Sequence, residues 1–65
     1  MIGEKIEYKN AKKGENQRGI VKDKVTIVDR YNEENKPVTI TGYLVEEEIT
    51  KTFRIVKPTR ILRII

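Results

Sequence analysis

One proline near the end of the chain constrains the fold most. The stretch Lys51-Thr52-Phe53-Arg54-Ile55-Val56-Lys57-Pro58-Thr59-Arg60-Ile61-Leu62-Arg63-Ile64-Ile65 holds two apolar-rich runs, and Pro58 separates them. Proline lacks an amide donor and disfavours helix at Lys57, but its fixed φ suits the first position of a one-turn 3₁₀ segment through Thr59 and Arg60. The chain is therefore expected to close as strand, tight turn, strand.

The rest of the sequence has the same two-residue period. Ile6 and Tyr8 alternate with Lys5, Glu7 and Lys9; Val21, Val25 and Ile27 share a parity with Asp23; Val38, Ile40 and Leu44 share one with Gly42. That is the spacing of strands, not helices. β-branched residues dominate these blocks, and the one helical candidate, Glu46 to Thr50, is too short to stand unsupported. Asn10 to Gly19 and Tyr31 to Pro37 read as polar surface loops, and Glu46-Glu47-Glu48 as a turn. Strands follow at residues 3–9, 19–29, 38–45, 49–56 and 61–64. Asp23 falls on an inward parity, so a bulge that turns it outward, or a bond to backbone, is expected there. The predicted core is Ile6, Val21, Val25, Ile27, Ile40, Leu44, Phe53, Ile55, Leu62 and Ile64, joined by Val56 if a bulge intervenes.

Sixty-five residues allow a single domain, and the chain has no cysteine or histidine. Those absences exclude a disulfide framework, a zinc knuckle, a thiol nucleophile and an imidazole base. A cytoplasmic setting without membrane insertion is expected: no apolar run nears the roughly 20 residues of a span, and Met1-Ile2-Gly3-Glu4 does not open like a secretory signal. Neither a metal nor a cofactor is expected. Adjacent glutamates at a strand end point in opposite directions with no turning glycine among them, and Gly3, Gly14, Gly19 and Gly42 never form a phosphate-cradling loop. A sheet this small fills its interior with its own side chains, which argues against an enzyme.

Net charge is +4, unevenly spread. Residues 51–65 hold five cations and no acid, whereas residues 31–50 hold five acids against Lys36 alone. A milder basic group, Lys9, Lys12, Lys13 and Arg18, surrounds the first loop. The molecule should be electrically two-sided.

Strand order, the long first loop and the segment Ile55 to Ile64 resemble SH3-like small barrels, in which a proline-containing 3₁₀ turn joins the fourth strand to a short fifth. The resemblance implies an all-β, five-stranded antiparallel barrel spanning residues 1–65. Peptide-binding SH3 domains carry an acidic first loop and a groove tryptophan; here that loop is basic and tryptophan is absent. Methyl-reading Tudor domains need a cage of several aromatics, and this chain has only Tyr8, Tyr31, Tyr43 and Phe53, the last assigned to the core. The basic loops, with Gly19-Ile20-Val21 behind the first of them, are most similar to the KOW kind, which contacts nucleic acid or ribosomal and transcription partners.

The function expected is a non-catalytic module that contacts nucleic-acid backbone with low sequence specificity. Lys51, Arg54, Lys57, Arg60 and Arg63, with Lys9, Lys12, Lys13 and Arg18, would line phosphates and release counterions. Arg54 and Arg63 would face solvent, opposite the apolar positions of their strands, and Tyr43, at the outward parity with Thr39 and Thr41, would stack on a base. The alternative is a protein-interaction or assembly module of accessory or mobile-element type, whose opposed charges favour a protein partner or weak self-association.

Overall fold

The computed structural model describes residues 1–65 as five antiparallel strands and one 3₁₀ turn. In chain order these are β1 (Lys5–Asn10), β2 (Glu15–Tyr31), β3 (Pro37–Glu47), β4 (Phe53–Val56), the 3₁₀ turn Pro58–Arg60 and β5 (Ile61–Ile64). Pro58 occupies the first turn position, and the Arg60 amide donates to the Lys57 carbonyl at 2.9 Å. No helix is long and apolar enough to cross a membrane.

The sheet runs β4-β3-β2-β1-β5 and leaves β4 and β5 as free edges, so it does not close into the expected barrel. It is compatible with an SH3-like arrangement and bends sharply: Val56 of β4 shares a core with Ile6 and Tyr8 of β1, although β2 and β3 lie between their strands. Val21 and Val45 complete that core, with Tyr43 and Ile61 packed against it. Beyond the core, β2 and β3 continue as a two-stranded arm that stretches the molecule to 41 × 24 × 20 Å.

The turns are tighter than the composition suggests. Residues 15–19 belong to β2 and pair with β1, from Asn10 opposite Glu15 to Ile6 opposite Gly19. Only Ala11 to Gly14 turn the chain. Asn10 builds that turn: its Oδ1 accepts from the Lys12 and Lys13 amides at 3.0 and 3.3 Å, and its Nδ2 donates to Gln17 at 2.8 Å. Gly14 closes it at φ 67°, where a side chain would be strained. Asn32 organises the next turn in the same manner, accepting from the Glu34 and Lys36 amides.

A bulge rotates Asp23 outward. Val21 lies opposite Val45 and Asp23 opposite Leu44, so Lys22 is the extra residue. The exposed Asp23 carboxylate then accepts from the Lys24 amide at 2.8 Å.

Four residues of the expected core stand in solvent. Phe53 and Ile55 are 59% and 57% exposed, because β4 pairs with β3 so that Arg54 lies opposite Val45 and Val56 opposite Tyr43. The inward parity of β4 therefore belongs to Arg54 and Val56. On β5 the register shifts to place Ile61 opposite Tyr8, leaving Leu62 half-exposed. Ile64 lies opposite Ile6, yet at the free edge it too is half-exposed. Val25, Ile27 and Ile40 are half-buried along the arm, and Leu44 is half-buried between Asp23 of β2 and Ile55 of β4.

Glu46 and Glu47 continue β3, and the turn that follows hangs on Glu47. Its carboxylate, 3% exposed as a residue, accepts from the Thr50 hydroxyl at 2.6 Å and from the Thr50 and Ile49 amides. The Thr50 bonds outweigh burial and hold this carboxyl below its ordinary 4.5. A depressed carboxylate pKa adds stability at neutral pH that is lost as pH falls through the folded value. The thermal midpoint should therefore drop on acidification below about 4.5, and Glu47→Gln should lower it at pH 7 while converging with the wild type in acid. Equal midpoints at pH 7 would remove Glu47 from this role.

Candidate functional site

A groove of about 380 Å³ opens where the bent sheet brings the end of β1 opposite the free edge of β4. Tyr8, Lys9 and Asn10 of β1, Ala11 and Lys12 of the turn, Phe53 to Val56 of β4, and Lys57 and Arg60 around the 3₁₀ turn line it. Three local devices aim these side chains. The Asn10 turn presents Lys12; the three-residue repeat of the 3₁₀ turn brings Lys57 and Arg60 to one side; and the free edge of β4 offers both parities of that strand to the groove.

Its lining contains five cations and no carboxylate. Lys57 alone is paired, with Asp29 at 3.4 Å, while Lys9, Lys12, Arg54 and Arg60 have no carboxylate partner. Like charges gathered without counter-charge raise the local positive potential. The arrangement suits an anion.

Two donors among the lining residues are buried. The Tyr8 hydroxyl and Arg54 Nε are buried without a hydrogen-bond partner, and Tyr8 is only 2% exposed. Burial, reinforced by the Glu47 charge and partly opposed by Arg54, raises the Tyr8 pKa, which keeps the hydroxyl protonated as a donor. Buried donors ordinarily have acceptors.

No protein-family model matches the chain, and neither does any curated protein or solved structure.

Of the residues singled out by sequence, the structure brings Lys9, Lys12, Arg54, Lys57 and Arg60 together. Arg54 is not the solvent-facing residue expected; it is half-buried on the inward parity of β4. Lys13 sits in the same turn as Lys12 but does not line the groove. Arg18 and Arg63 share the Glu7 carboxylate at 3.7 and 2.9 Å, which offsets one of their two charges. Lys51 occupies the turn between β3 and β4 at φ 61°, outside the groove. Tyr43 is half-buried against the core, so its ring is not the free face expected.

Sequence reasoning missed Phe53 and Tyr8. Phe53 was hidden by its own hydrophobicity, since alternation with Ile55 reads equally well as an inward or an outward face. Tyr8 was recognisable as an inward alternator with Ile6, but no local pattern shows that Arg54 lies beside it.

Proposed function

We propose that this chain is a non-catalytic binding module of the KOW/Tudor kind, which grips nucleic-acid backbone in the groove between β1 and β4. One observation carries the reading: Lys9, Lys12, Arg54, Lys57 and Arg60 converge with no carboxylate among the lining residues. Phosphate contacts are independent of sequence and weaken as salt rises, because each releases condensed counterions. Low sequence preference follows, since cations that meet phosphates do not read base edges.

Lys12 and Arg60 are exposed and unpaired, so replacing both by glutamine should leave the fold intact. Oligonucleotide affinity should fall, and the slope of log K against log salt should flatten by about two units, roughly one for each lost contact. Lys51→Gln, outside the groove, is the control and should change neither. A wild type that binds no oligonucleotide at about 50 mM salt, where phosphate contacts are strong, would overturn the reading.

The protein-interaction alternative has its own support in Leu62, Ile64 and Ile65, each about half-exposed on or next to the free edge of β5. Concentration-dependent sedimentation that Leu62→Ser abolishes, with no oligonucleotide binding, would favour it.

A further inference from the structure

Phe53 puts a large ring in water, 59% exposed, on the wall of a groove half of whose other lining residues are cationic. Its neighbour Arg54 projects to the opposite side of β4, half-buried near Tyr8. The edge strand thus offers one apolar face at the lip and one cationic group at the floor. Tyr8 Oη and Arg54 Nε both lie buried behind that floor without acceptors. A phosphate oxygen is the acceptor both lack, and hydrogen bonds from charged donors to phosphate are strong.

We infer that the groove selects single-stranded nucleic acid, seating one phosphate over Arg54 and Tyr8 and laying an adjacent unpaired base on Phe53. The inference rests on the nucleic-acid reading above and narrows it. In a duplex every base face is already covered by its neighbours, so Phe53 has nothing to receive. A single strand can turn a base outward and bring its backbone into a narrow cleft, and any base has a face that stacks. The site therefore discriminates by strandedness while remaining tolerant of sequence.

The test uses fluorescence anisotropy with a labelled single strand and its matched duplex at one salt concentration. The single strand should bind at least about tenfold more tightly, and Phe53→Ala should remove about that factor from the single strand while leaving the duplex unchanged. Because Phe53 is exposed, a thermal melt should show that the variant folds as the wild type does. Tyr8→Phe deletes only the unpartnered hydroxyl; it should melt no lower than the wild type yet weaken single-strand binding. Equal affinity for both forms, or an unaffected Phe53→Ala, overturns strand selection, and wild-type affinity in Tyr8→Phe overturns the phosphate seat. If binding still responds to the Lys12 and Arg60 substitutions, the broader reading survives either result. Absence of binding to both forms overturns the two together.

Discussion

Replacing Ile6 by alanine is expected to remove about 2–5 kcal/mol of stability, the range for truncating a fully buried aliphatic side chain. Ile6 is 0% exposed and belongs to a buried apolar core of five residues, Ile6, Tyr8, Val21, Val45 and Val56. With so few members, no neighbour is free to collapse into the space. A domain of 65 residues has a total stability near 3–10 kcal/mol on the usual scaling of about 0.05–0.15 per residue, so this one change takes a large share of it. Phe53→Ala and Ile55→Ala remove as much apolar volume or more, but from side chains already more than half in water. Each should cost under about 1 kcal/mol. Urea unfolding of the three variants decides the matter: a larger loss at Phe53 or Ile55 than at Ile6 would mean that β4 presents its other face to the core.

That comparison also marks where sequence reasoning ends. Strand type, the antiparallel order and the turn at Pro58 were legible because each depends on local chemistry: a two-residue period, β-branched blocks and a fixed proline φ. The Asp23 bulge was legible because a carboxylate at an inward position needs either water or a partner. The inward face of β4 was not. Phe53-Arg54-Ile55-Val56 has an apolar residue on both parities, and only pairing with Val45 and Tyr43 of β3 sends Arg54 and Val56 inward. Register between strands is non-local, and a one-residue slip exchanges the faces. The short turns were obscured for a related reason: Glu15 to Arg18 are polar, but they pair with β1 through backbone bonding, which needs no apolar side chain.

The candidate site shares this division. Its cations were legible as a surplus without acids, but their sorting into groove and rim was not. Arg63 and Arg18 look equivalent to Arg60 and Lys12 along the chain; cross-strand pairing with β1 places the first two at Glu7. β4 pairs only with β3, and its other edge stays open toward β1, so the unclosed sheet and the groove share that free edge. The proposed grip on a polyanion rests on the free edge.

The close approach of β2 and β3 at Gly19 leaves no room for a side chain, and Gly19→Ala is expected to be among the most damaging single-methyl additions available. Gly19 lies in β2 between Ile6 of β1 and Glu47 of β3, with its backbone buried. A Cβ there would meet the Glu46 carbonyl oxygen at 2.5 Å and Val45 Cγ1 at 2.6 Å, both inside any tolerable contact. Rotation of Val45 relieves one clash at most. The other is with backbone already held in the β2–β3 ladder, so the strands must separate or the sheet must flatten. Overpacking of this kind costs about 1–3 kcal/mol and more where backbone must move, which places Gly19→Ala at roughly 3 kcal/mol or beyond. Val45→Ala in the same chain removes the side-chain obstacle but not the carbonyl, so the double variant should be less stable than either single one. Recovery in the double variant would show that Val45 alone sets the limit. A Gly19→Ala protein that unfolds in urea like the wild type would show that β2 and β3 can separate at this point at little cost.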